Sequence, residues 1–198
     1  MKKPTKKQTK KIVRIICKAK KIKIVQSRRW YNVLRKRIAK KRLKKMGVTD
    51  IDNFLATRFI LVSVGKKFLL FAPRPVWKMG IDALELLAHE LKHISQEKRD
   101  GMISYKTRYA KNPGDRAVYE GQAYGVGADI DYAFGRTSYI NADRIFDTGF
   151  RKMYMLNQSQ TESAKVVFEK AKQARAAGRI SAEAAYVLDV YRKVTGQK

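Results

Sequence analysis

Between residues 82 and 98 the apolar positions Leu84, Leu87, Leu91 and Ile94 recur at three- and four-residue intervals, a spacing that predicts an amphipathic helix. Asp82 with Glu85 three later reads as a capping box at its start, and Gly101 ends it. Upstream, "RFILVSV" and "KFLLFAP" are apolar runs of strand length, joined by a Gly-containing turn and closed by Pro73 and Pro75, which predicts a β-hairpin. Downstream, Asn112 and Pro113 stop the preceding chain and open a helix through "NPGDRAVYEGQAYGVGADIDYAF". Its face carries Ala117, Glu120, Ala123 and Tyr124. Gly121, Gly125 and Gly127 weaken this helix by about 1 kcal/mol each in an exposed setting, so its backbone is expected to lie close to the 82–98 helix, or the helix to break. Two more helices, "TESAKVVFEKAKQARAAG" and, behind Ser181 as N-cap, "AEAAYVLDVYRKVTG", meet at Gly178. They predict a helical hairpin that closes the core through Val167, Phe168, Tyr186, Val187, Leu188 and Tyr191.

Charge divides this pattern unevenly. Residues 1–46 hold 21 Lys and Arg and no Asp or Glu, out of a formal net charge of +28 for all 198 residues. Such a block repels itself and is the usual footprint of a polyanionic partner. Residues 1–11 read as disordered, "IVRIIC" and "IKIV" as short apolar islands, and "RRWYNVLRKRIAKKRLKKM" as a basic helix. Phosphates of nucleic acid are the expected partner, bound without sequence specificity through Lys20, Lys21, Arg28, Arg29, Arg35, Lys36, Arg37, Lys40, Lys41, Arg42, Lys44 and Lys45, with Trp30 stacking on a base. An anionic membrane fits less well, because the helix is far richer in charge than in large apolar residues.

The two histidines of the chain, His89 and His93, lie four apart in "LLAHELKHISQ", with Glu90 directly after the first. On a helix, positions i and i+4 share a face, so both imidazoles reach one metal ion, and they lie opposite the leucine stripe. Lys92 then has to turn outward. Zinc requires a third protein ligand, and with the single Cys17 far away in another kind of segment this must be a carboxylate. Glu120 is the candidate, with Asp115 as the alternative, although a helix N-terminal charge explains Asp115.

"AHELKHISQ" followed by "YEGQAY" resembles the gluzincin branch of zinc metallopeptidases, in particular its small bacterial and phage domains, over about residues 58–135. The resemblance implies an α+β, zincin-like domain in which a small antiparallel sheet lies over the H-E-x-x-H helix. It implies zinc held by His89, His93 and Glu120, Glu90 as general base, and a protein or peptide substrate. The chain departs from the better-known pattern at Lys92 and at Tyr124, where an aspartate orients a histidine; Asp129 or Asp131 stands in for that role. Tyr124, Tyr109 or Arg116 is the expected oxyanion donor.

The expected organisation is a basic arm over 1–46, partly disordered and partly helical, a metal-binding domain over 47–158, and a C-terminal helical hairpin over 159–198. The alternative is a non-catalytic, nucleic-acid-binding component of a nucleoprotein assembly such as a viral particle, with a degenerate or structural metal site. Neither a secretory signal nor a membrane-spanning run is legible, and one cysteine excludes an internal disulfide, so an intracellular or particle-enclosed protein is expected.

Overall fold

The computed structural model describes residues 1–26, 59–65, 67–136 and 141–197, with positions 37, 40, 41 and 44. Among the described residues the protein is mixed α and β, mostly helical, with one small three-stranded sheet. Helix α1 (Lys6–Ala19) leads into strand β1 (Ile22–Gln26), and strands β2 (Ile60–Val64) and β3 (Lys67–Ala72) precede a 3-10 turn at Val76–Lys78. Then follow α2 (Ile81–Asp100), α3 (Met102–Lys111), α4 (Pro113–Ala133), α5 (Ala142–Ile145), α6 (Thr148–Tyr154), α7 (Gln158–Ala176) and α8 (Ala182–Thr195). No helix among the described residues is long and apolar enough to cross a membrane.

The start of the chain is ordered, contrary to the disorder read from its charge. Thr5 caps α1 in a reciprocal capping box with Gln8, and Thr9, Ile12, Val13, Ile16 and Cys17 line its buried face. The two apolar islands thus become one face of a helix and an edge strand, and apolar burial outweighs lysine repulsion there. Arg28, Arg29, Trp30, Arg35, Lys36, Arg42 and Lys45, and with them most of the expected basic helix, lie outside the described residues. Lys20 sits with its ammonium 4.3 Å from the Tyr186 ring centroid, while Lys21 is exposed.

The expected hairpin is present: β2 runs antiparallel to β3, Ile60 opposite Phe71. The sheet is nevertheless mixed rather than antiparallel, since β1 adds on the far side of β3 in parallel, Ile22 opposite Phe68. Both of β3's edges are therefore paired, and Leu70, Phe71 and Ala72 are buried.

Helix α2 starts one residue before Asp82, at a glycine N-cap, Gly80, with no side-chain cap, so the capping box read at Asp82 and Glu85 does not form. Asp82 instead accepts a hydrogen bond from Arg136 at 2.7 Å. The leucine stripe is buried as expected and joins α1, β1, β3, α4 and α8 in the main core. A second, smaller core forms from Ala117, Ala128, Phe146, Phe150, Leu156, Ala164 and Phe168.

These two cores separate the last two helices. Phe168 of α7 enters the small core against α4, whereas Val187, Leu188 and Tyr191 of α8 enter the main core against α1 and α2. The expected C-terminal hairpin is thus replaced by two helices serving different cores. Ser181 caps α8, and its N–H donates to Asp129 Oδ2 of α4 at 2.9 Å, which holds the connection in place. At the opposite end Tyr191 donates from its hydroxyl to the Lys2 carbonyl, and the Lys2 N–H donates to Gln197.

Along the α2–α4 seam, Glu85, Asp82 and Asp131 gather around Arg136. Burial pushes the Glu85 carboxyl up to about 7, with Asp131 and Asp82 adding to the rise and Arg136 opposing it. In the unfolded chain this group ionises near 4.5. Between those values the folded state binds more protons, so stability falls as pH rises through the window and the full penalty is present above it. Glu85→Gln is therefore expected to gain on the order of 1–3 kcal/mol at about pH 8 and nothing at about pH 4. Urea denaturation at the two pH values checks this, and no gain at the higher pH would contradict it.

Candidate metal centre

Helices α2 and α4 run antiparallel, so successive turns meet in pairs: Gln96 with Tyr119 and Gln122, His93 with Glu120, and His89 with Tyr124. The close backbone approach that the glycines imply is mostly made elsewhere. A Cβ at Gly121 or Gly125 would meet Ala164 or Ala171 of α7, and only Gly127 faces α2, at Glu85.

At the centre of the seam His89, His93 and Glu120 converge. The two Nε2 atoms are 3.1 Å apart, and the Glu120 carboxylate straddles them, Oε2 at 3.4 Å from His89 and Oε1 at 3.4 Å from His93. Ligands about 2.1 Å from a tetrahedral zinc are about 3.4 Å from one another, so these separations fit one ion. Burial opposes a charged His93, yet the adjacent Glu120 carboxylate raises its pKa above the ordinary histidine value. Burial would likewise raise Glu120, but the two imidazoles hold it well below the usual carboxylate range. Even so, Glu120 Oε2 is buried with no hydrogen-bond partner among the described residues. An anionic oxygen left in that condition is costly, and a cation between it and the imidazoles removes the cost.

The partners of His93 determine which nitrogen faces Glu120. Gln96 donates from Nε2 to the Tyr119 carbonyl and to Gln122 Oε1, both at 3.0 Å, and a carbonyl can only accept. Its Oε1 is therefore the atom 2.8 Å from His93 Nδ1, which must carry a hydrogen. In the neutral ring this leaves the Nε2 lone pair directed at the ligand cluster, the arrangement a metal requires. The Tyr105 hydroxyl also reaches Nδ1, at 3.2 Å. Neither Gln96 nor Tyr105 is singled out by the metal motif, although Gln96, three after His93, shares its helix face.

The remaining candidates separate cleanly. Tyr109 donates to Glu120 Oε1, and the Tyr124 ring stands edge-on to His89 at 4.9 Å, so both belong to the site. Burial, reinforced by Glu120, pushes the neighbouring Tyr154 hydroxyl well above the ordinary phenol range, so it stays neutral. Arg116 does not belong to it: its guanidinium donates to the carbonyls of Tyr154, Tyr109 and Ala110, bracing the C-terminal ends of α6 and α3 behind the site. Asp115 takes a bidentate pair from Arg108 near the start of α4 and is not part of the cluster. Asp129 binds Arg175 and Asp131 faces Arg136, so neither orients a histidine. Lys92 turns away toward Glu183 of α8, 3.9 Å off, as the motif demands. Glu90 is buried beside His89, and its charge is felt at His93.

Comparison of the chain with protein-family models, curated proteins and solved structures finds no match.

Proposed function

We propose that His89, His93 and Glu120 hold a zinc ion and that the protein hydrolyses peptide bonds in a protein or peptide substrate. The observation that carries this reading is the convergence of two imidazole Nε2 atoms on a buried carboxylate with an unserved oxygen, on a helix that also presents Glu90. When bound, the metal supplies Lewis acidity, which lets water attack near neutral pH and polarises the scissile carbonyl. Glu90 takes the proton of the attacking water and passes it to the leaving amine. Gln96 fixes the His93 tautomer, and Tyr109 holds Glu120 in place. Tyr124, beside His89, is the donor best placed for the oxyanion.

A second reading is favoured by one observation: the side chains of His89, His93 and Glu120 are only 14%, 10% and 1% exposed. A nearly closed cluster suits a structural metal in a nucleoprotein component as well as a catalytic one. Glu90→Gln separates the two. It keeps shape and leaves the ligands intact, so zinc content should stay at about one per chain while cleavage of a broad peptide library falls by about 10²-fold or more. A zinc-replete wild-type protein that cleaves nothing, with Glu90→Gln indistinguishable from it, would leave the structural reading standing.

A further inference from the structure

The outer face of α1 presents Lys7, Lys10, Lys11, Arg14 and Lys18, all exposed, directly opposite the face that carries Ile12 and Ile16 into the core. The eleven steps from Lys7 to Lys18, at 1.5 Å each, make this a ridge about 16 Å long. Cations elsewhere in the protein are commonly paired, as Arg108, Arg136, Lys165 and Arg175 are. Among the described residues none of the five has an ion-pair partner, and the acids of neighbouring α8 turn elsewhere, Glu183 to Lys92 and Asp189 to Lys193. The first turn of α1 carries no acid, so Lys6 and Lys7 stand against the positive end of the helix. Lys7 with Lys11, Lys10 with Arg14, and Arg14 with Lys18 are like charges one turn apart, each unfavourable to the helix. The ridge works against the fold that displays it, and such local conflicts mark functional surfaces.

We infer that the outer face of α1 is a binding surface for the phosphate backbone of a nucleic-acid duplex, through Lys7, Lys10, Lys11, Arg14 and Lys18. A lipid surface is disfavoured because membrane helices insert an apolar face, and the one on α1 is already consumed: Ile12 and Ile16 are 0% exposed. An acidic peptide would have to be ordered against the ridge, whereas a duplex is itself a stiff line of charge, so neither side gives up chain entropy. Contacts from this ridge to phosphates position a duplex and carry no sequence information of their own. This surface lies apart from the metal ligands and stands independently of the peptidase reading.

The test uses the full chain and a short labelled duplex across a salt series. If about four or five phosphates are engaged, affinity should fall about 10²-fold between about 50 and about 200 mM salt. The triple variant Lys7→Glu/Lys10→Glu/Arg14→Glu leaves the apolar face untouched and should fold, with circular dichroism and zinc content as controls. It should bind about 10²-fold more weakly at about 0.1 M salt, with a log-log slope shallower by about 2.7. Lys170→Glu/Lys172→Glu/Arg179→Glu makes the same change in net charge at exposed positions of α7 and its end, and should change affinity by less than about threefold if the ridge is the anchor. The duplex should also raise the melting temperature of the wild type and not of the α1 variant. Equal losses in both triples would reduce the effect to net charge and overturn the assignment. Unchanged slope in the α1 triple would move the anchor to residues 28–45. Tighter binding to phosphatidylcholine/phosphatidylglycerol vesicles than to duplex at equal salt would replace nucleic acid by a lipid surface.

Discussion

Purified His93→Ala should carry no stoichiometric zinc after dialysis against a weak chelator, and His89→Ala and Glu120→Ala should behave alike. Each leaves two protein ligands, which hold zinc poorly, so affinity should fall by about 10³-fold or more. The loss at His93 is compounded because Gln96 loses the partner toward which its amide is locked and Glu120 loses an imidazole that offsets its burial. Gln96→Leu is the graded comparison: it frees the His93 tautomer without removing a ligand, so it should weaken zinc by about 10- to 100-fold. Asp115→Ala should retain the metal, since that carboxylate is occupied by Arg108. Zinc lost from Asp115→Ala and kept by Glu120→Ala would shift the third ligand to Asp115, and zinc kept by both histidine variants would eliminate the site.

Gly121→Ala should destabilise the fold although alanine is the better helix former. Propensity alone favours the change by about 1 kcal/mol. A Cβ at this position, however, would lie 2.5 Å from the carbonyl oxygen of Ala164 and 3.0 Å from its Cα. Backbone of a packed helix cannot step aside as a side-chain tip can, so α4 and α7 must separate along their contact. The net cost should be about 3 kcal/mol, or about 10 °C in melting temperature for a chain of this size. Thermal and urea unfolding measure it directly. A neutral or stabilising result would show that the two helices do not approach this closely.

The convergence of His89, His93 and Glu120 was legible because it depends on local geometry: His89 and His93 share a face on any helix, and Asn112 with Pro113 fixes where the helix bearing Glu120 begins. What surrounds it was not, because Gln96 acquires its role only through the antiparallel register of α2 and α4, and Tyr105 and Tyr109 theirs only through the packing of α3 against that pair, both tertiary facts. The same limit explains the glycines. Their number announced a close backbone approach, but nothing in the sequence distinguishes α7 from α2 as the neighbour at Gly121. Charge misled at the N-terminus. Eleven lysines and arginines in residues 1–26 obscure a helical repeat at Ile12, Val13, Ile16 and Cys17 that requires burial. The helical character of α7 and α8 was plain from periodicity, whereas their assignment to separate cores depends on a partner 189 residues upstream for Tyr191.

That partner sets a clock. The pocket that receives α1 is completed by α8, and Tyr191 closes on Lys2 across those 189 residues. At roughly 5–20 residues per second of synthesis, α8 follows α1 by about 10–40 s. During that interval β1, β3 and α2 emerge and can cover part of the Ile12 and Ile16 stripe, but the side that α8 closes stays open. How quickly the ribosome reaches α8 therefore governs how long that open side is prone to stick to its neighbours.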